Sequence, residues 1–222
     1  MPEQATRQKL LTIYDRLLTE YGEQHWWPAE SPFEVIIGAI LTQSAAWTNV
    51  EKAIANLEAA SVLSVGALRD MPESRLAGLV RPSGYFNAKA RKIKAFVSRL
   101  SESYNGSLDG LFALDLEFLR QKLLSIHGIG EETADSIILY AAKKPIFVID
   151  AYTRRIINRF GLIPEGKRYA DYQTLFMNNL PRDTRLFNEY HALLVCLGKN
   201  ICRRHPFCGR CCLNDICAHL HD

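Results

Sequence analysis

Three groups of residues could do chemistry. Asp150 closes the apolar run Phe147-Val148-Ile149, and a carboxylate set beside apolar surface can stabilise a developing cation or take a proton from water. Upstream, Ile126-His127-Gly128-Ile129-Gly130-Glu131-Glu132-Thr133 places two glycines in a turn that opens a helix, where unpaired backbone N–H groups can hold a phosphate. Further on, Cys202-x5-Cys208-x2-Cys211-x5-Cys217 gathers four thiolates, enough for a [4Fe–4S] cluster or a tetrahedral zinc. One short interval between two longer ones favours the cluster, because zinc knuckles more often use two Cys-x2-Cys pairs. Each group also has a plainer reading. An Asp before a helical pattern is a good N-cap, and Glu131 and Glu132 are acids in a first turn, worth roughly 0.3–1 kcal/mol each.

Around the thiolates, Cys212 could compete with Cys211 for ligation, and His205, His219 and His221 could serve a zinc site, although they read first as surface residues. Cys196, in an apolar stretch, reads as a buried hydrophobe. Arg203, Arg204 and Arg210 give the loop cationic groups suited to phosphate.

The elements that must position these residues read as helices. Leu10, Tyr14, Leu17, Leu18 and Tyr21 recur at helical spacing from about Thr6 to Tyr21, and Gly22 ends that run. Ser31-Pro32-Phe33-Glu34 reads as a capping box opening an apolar helix, which runs into the polar turn Thr42-Gln43-Ser44-Ala45-Ala46-Trp47. Helices are predicted near 65–70, 72–80 and 89–104. Before the last of these lies a tight loop, Arg81-Pro82-Ser83-Gly84-Tyr85-Phe86-Asn87, and Lys89, Arg91, Lys92 and Lys94 follow it. Leu116, Leu119, Leu123 and Leu124 mark the helix that enters the glycine turn, and a helix over 131–142 leaves it. Residues 146–149 read as extended chain with nothing to pair in a sheet, and helices resume over 151–160, 169–178 and 184–197, with Gly161 and Gly198 as C-caps. The fold is therefore expected to be all-α.

With 222 residues and 48% hydrophobic content the chain can bury a substantial core. A formal charge of +3 is mild, so a polyanion must be met by a local patch rather than a bulk field. The N-terminus lacks a secretory pattern and no long apolar run spans a membrane, which predicts a cytoplasmic protein, nucleoid-associated if prokaryotic, with no membrane partner. All six cysteines lie between Cys196 and Cys217, a crowding that suits metal ligation better than a disulfide framework.

Leu41-Thr42-Gln43, Gly84-Tyr85-Phe86-Asn87-Ala88-Lys89-Ala90, Gly128-Ile129-Gly130, Val148-Ile149-Asp150 and the cysteine tail occur in this order along nearly the whole chain. In this the chain resembles the endonuclease III superfamily of helix-hairpin-helix DNA glycosylases. The resemblance implies two helical domains, 31–145 carrying the hairpin and 1–30 with 146–222 carrying an iron–sulfur loop, and a monomer that binds damaged double-stranded DNA in the cleft between them. It implies Asp150 as the catalytic carboxylate, Gln43 filling the gap left by a flipped base and Tyr85 or Phe86 wedging the opposite strand. Gly84, Lys89, Gly128 and Gly130 would meet DNA, with a monovalent cation able to assist the hairpin. Cys202, Cys208, Cys211 and Cys217 would hold the cluster, although the first interval is one residue shorter than the family's Cys-x6-Cys.

Bifunctional members carry a lysine where this chain has Glu132. A carboxylate cannot form their Schiff base, and Lys143 and Lys144 do not match the nucleophile's spacing to Asp150, so hydrolysis without strand cleavage is expected. Trp26-Trp27-Pro28 with Trp47 resembles the pocket of the 3-methyladenine glycosylases of this superfamily. A double Trp in a loop is as often a core plug. Yet an alkylated purine is already cationic and leaves without a strong general acid, and indole faces attract it by about 0.5–2 kcal/mol per ring. Removal of mismatched or deaminated adenine, thymine or uracil, and a non-catalytic iron–sulfur DNA-binding protein, are the rival readings.

Overall fold

The computed structural model describes residues 2–219, and among them there are helices and turns but no strand. The chain divides into two compact units, Met1–Pro28 with Pro145–Asp222, and Ala29–Lys144. The first helix, α1, runs over Pro2–Tyr21, four residues earlier than the apolar spacing marks.

The unit Ala29–Lys144 is built on α2 (Pro32–Leu41), in which Ile36, Ile37, Ile40 and Leu41 are wholly buried. Removing each such side chain from water contributes about 1.5–3 kcal/mol. Ser31 caps α2 by accepting from the Glu34 backbone N–H at 3.1 Å, but Glu34 reaches back to the N–H of Glu30 at 2.8 Å, one residue beyond the reciprocal partner a capping box needs. Around α2 pack α3 (Trp47–Ala59) and, after α4 (Val65–Asp70) and α5 (Glu73–Leu79), the long α6 (Phe86–Tyr104). Asn105, in the left-handed region at φ 52°, ends α6. Then α7 (Leu108–Phe112), too short to show a period in the sequence, leads to α8 (Leu116–Leu124) and α9 (Glu131–Ser136). The helix predicted over 131–142 is not uniform. From Ile137 to Ala141 it widens into a π turn, with the Ala142 N–H bonding to the Ile137 carbonyl, and this turn packs on α2.

In the other unit α1 packs on α11 (Tyr169–Asn179) and α12 (Thr184–Asn200), and α10 (Ala151–Arg159) packs on α12. Phe147, Phe176, Phe187 and Tyr190 form its aromatic centre, with the rings of Phe147 and Phe176 stacked at 3.8 Å. Gly161 (φ +66°) follows α10 as expected, but Gly198 lies inside α12 rather than capping it. A Cβ there would come within 2.6 Å of the Tyr152 side chain, so the glycine serves the close approach of α10 to α12.

Candidate active site

Asp150 is the N-cap of α10. Its backbone is extended and its Oδ1 accepts from the Thr153 N–H at 2.7 Å. The capping reading of the sequence therefore holds, but it uses one oxygen. Oδ2 turns instead toward Nε2 of His191 on α12, 3.8 Å away, with the two side chains 13% and 8% exposed. Residues 146–149, buried and extended as expected, deliver Asp150 to this position. The Phe147 carbonyl accepts from Gln173 Nε2 at 2.8 Å, and the Ile149 N–H donates to the Tyr169 hydroxyl at 3.2 Å, so α11 fixes the segment on which Asp150 stands. Burial pushes the His191 imidazole below its usual pKa and outweighs the opposite pull of Asp150. Nothing local in the sequence singles out His191; it lies in an apolar helical run, and only the packing of α12 on α10 brings it to the carboxylate.

In the other unit the glycine turn joins α8 to α9. Gly128 has φ +81°, and the Ile129 N–H closes the turn on the Ile126 carbonyl at 3.1 Å. Gly130, at φ −91°, is the N-cap of α9 and has no side chain with which to satisfy the helix's first N–H groups. Gln43, from the polar turn after α2, donates through Nε2 to the Gly128 carbonyl (3.0 Å) and to Thr133 Oγ1 (2.9 Å), while Lys92 Nζ donates to Gln43 Oε1. Arg120 of α8 binds the fully buried Asp135 through two hydrogen bonds, at 2.7 and 3.2 Å, and lies 3.6 Å from Glu131. The hairpin's acids are thereby partly offset by an adjacent guanidinium. Glu132 is exposed at the head of α9.

Lys89, expected on the DNA-facing surface, is instead 1% exposed. Its ammonium donates to the carbonyls of Leu41 (2.8 Å) and Ser83 (2.6 Å), and burial, with the charge of Lys92, lowers it to about 8. It faces inward on α6, and a period-3.6 pattern masked by neighbouring cations hid this in the sequence. Gly84 (φ +69°) and Tyr85 (φ 45°) form the turn into α6, and Tyr85 projects a ring that is 75% exposed, whereas Phe86 is half-buried under Arg81. Trp26 and Trp27 are half-buried with tilted rings 5.5 Å apart, and Pro28 follows them at the surface. Their loop is tied to α12 by the Gln24 N–H, which donates to Glu189 Oε1 at 2.6 Å. Trp47 belongs to the other unit. It is the first residue of α3 rather than part of the turn, and its Nε1 donates to Glu51 Oε1 at 2.8 Å.

Cys202, Cys208, Cys211 and Cys217 line one small cavity, about 20 Å³, together with Phe160, Leu197, Ile201 and His219. All are free thiols, and among the described residues no three His, Cys, Asp or Glu side chains are drawn into a compact metal-binding group. Arg159 Nη1 donates to Cys202 Sγ at 3.1 Å, so a cation of α10 faces the sulfurs. Cys212 donates to Cys211, which favours the thiolate at Cys211 and leaves Cys212 a thiol. His221 lies outside the described residues.

The model of the HhH-GPD superfamily of base excision DNA repair proteins matches residues 37–182, which include the Gln43 turn, the hairpin and Asp150. The chain belongs to this superfamily. A Methanocaldococcus jannaschii protein provisionally named a DNA repair glycosylase is 43% identical over 207 residues, 92% of this chain and 94% of that one. Among solved structures, the Helicobacter pylori 3-methyladenine DNA glycosylase bound to 1,N6-ethenoadenine superposes with a TM-score of 0.74 at 26% identity, over 89% of this chain and 97% of that one. An endonuclease III–DNA complex gives 0.83 at 21% identity, covering 96% and 95%, which establishes the shared fold.

Proposed function

We propose that this HhH-GPD protein is a monofunctional DNA glycosylase that hydrolyses the bond between an alkylated purine and its sugar in double-stranded DNA and leaves an abasic site. The observation that carries the reading is that the chain holds a carboxylate, Asp150, in buried surroundings and has an exposed Glu132 where lyases of the superfamily have their lysine. Asp150 keeps one oxygen on Thr153 and presents the other to the sugar, where its charge stabilises an oxocarbenium-like transition state and takes a proton from the attacking water. With no amine at position 132 the reaction ends at hydrolysis. Trp26 and Trp27, in the unit that carries Asp150, offer indole faces to a cationic base, and the likeness to the H. pylori enzyme supports this substrate class.

Backbone N–H groups at Gly130 and the start of α9 suit a phosphate, and the exposed Tyr85 suits a wedge between strands. Gln43 would have to leave the Gly128 carbonyl to fill the gap of a flipped base. The four cysteines line one cavity and are the residues that would hold an iron–sulfur cluster. Bound there, a cluster would cross-link the loop, and Arg159 would offset the charge of its sulfurs.

The test is a panel of duplexes bearing single lesions. Release of 3-methyladenine, 7-methylguanine or 1,N6-ethenoadenine without strand cleavage is the expected result. Release confined to uracil, thymine or adenine would overturn the substrate class, and a borohydride-trapped covalent complex would overturn the monofunctional assignment.

A further inference from the structure

The carboxylate of Asp150 is fixed at one end only. Thr153 holds Oδ1 at 2.7 Å, but Oδ2 has His191 Nε2 at 3.8 Å, beyond the 2.7–3.2 Å range typical of an N–H···O bond. Catalytic hydrogen bonds are commonly long before substrate arrives and shorten in the complex. His191 is placed at some cost: it is 6% exposed, with Ala192, Leu193 and Leu194 beside it in α12, a position that an apolar residue would fill without desolvating an imidazole. Burial keeps the ring neutral, so it can orient the carboxylate without cancelling the charge. The same turn of α12 carries Glu189, which accepts the Gln24 N–H at 2.6 Å and so anchors the loop leading to Trp26 and Trp27. One helical turn therefore reaches both the carboxylate and the aromatic loop within a single unit.

We propose that His191 is a positioning residue for Asp150: its imidazole donates from Nε2 to Oδ2, locks the rotamer that Thr153 fixes from the other side, and acts on the chemical step rather than on DNA binding. The inference rests on the glycosylase reading above. A misplacement of about 1 Å at a reacting group can cost on the order of 10²-fold in rate, which sets the size of the effect.

The experiment compares the full-length wild type with His191→Leu and His191→Gln in single-turnover release of 1,N6-ethenoadenine or 7-methylguanine, with duplex Kd and thermal midpoint measured alongside. His191→Leu should lower the rate on the order of 10²-fold while Kd stays within about twofold and the midpoint holds. His191→Gln, which keeps an N–H donor near the Nε2 position, should recover most of the rate. Equal rates for wild type and His191→Leu, or equal loss in both variants, would overturn the role. If wild type releases no base at all, the glycosylase reading fails, and the pairing is then read directly from the His191 ring nitrogens by ¹⁵N NMR. Asp150→Asn should shift the Nε2 resonance, and an unmoved resonance would overturn the contact.

Discussion

The hairpin and the surroundings of Asp150 solve opposite problems. Around the hairpin the polar groups are closed on one another: Gln43 uses its amide on the Gly128 carbonyl and Thr133, Lys92 holds its carbonyl, Lys89 satisfies two buried carbonyls and Arg120 grips Asp135 with two bonds. At Asp150 one oxygen is committed and the other faces an imidazole across 3.8 Å. A surface that must present a fixed row of N–H groups gains from being locked. A carboxylate that must meet a reacting sugar gains from keeping one oxygen off the backbone. Substitutions in the first region should therefore register in stability, and those in the second in rate.

Asp150→Asn makes the sharpest test. Asparagine caps a helix about as well as aspartate, so α10 should keep its start and the thermal midpoint should change little. Base release, deprived of the charge, should fall by about 10²–10⁴-fold. A parallel loss of stability would mean that capping is all Asp150 does. Arg120→Ala inverts the pattern: it takes the guanidinium and its two hydrogen bonds from the fully buried Asp135 carboxylate, and urea denaturation should record a loss of about 3–5 kcal/mol. Replacing both partners with apolar residues should restore much of it, and a mild effect of the single change would show that the hairpin is less locked than its contacts imply.

How legible each region was follows from the range of the interactions that build it. Helix positions came through because they are written in local periodicity and caps: Ser31 before α2, Gly161 after α10, Asp150 before α10 and the extended 146–149 all stand where the sequence put them. What was missed depends on neighbours far along the chain. The burial of Lys89 is set by Leu41, 48 residues away, and the bond from Gln43 to Gly128 spans 85. Gly198 reads as a cap until the approach of Tyr152 is known. His191 meets Asp150 only because α12 packs on α10. The π turn at 137–141 has an unbroken apolar sequence, so no residue type announces it.

The two hairpin glycines divide in the same way. Gly128 has φ +81°, and a Cβ would come within 2.3 Å of Lys92 Cγ, so Gly128→Ala should cost about 1–3 kcal/mol by thermal unfolding. Gly130 has an ordinary φ and open space around it, so the fold makes no demand for glycine there. Gly130→Ala should leave stability within about 0.5 kcal/mol yet weaken duplex binding if a phosphate lies against the start of α9. Unchanged affinity would remove that end of the hairpin from the DNA interface.

Glu51 should give the smallest effect and a discriminating one. Its carboxylate accepts from Trp47 Nε1 at 2.8 Å, which orients the indole and places a negative charge at its edge. If Trp47 stacks on the departing base, that charge favours a cationic 7-methylguanine over a neutral 1,N6-ethenoadenine. Because Glu51 is exposed, solvent screens the preference. Glu51→Gln keeps the hydrogen bond and removes the charge, so the ratio of release rates for the two bases should fall by about two- to threefold at low salt, with the difference fading as the ionic strength rises past about 0.15 M. A salt-independent change would point to the geometry of the ring rather than to its charge. No change in the ratio would take Trp47, or at least its edge, out of base selection and leave the discrimination to Trp26 and Trp27.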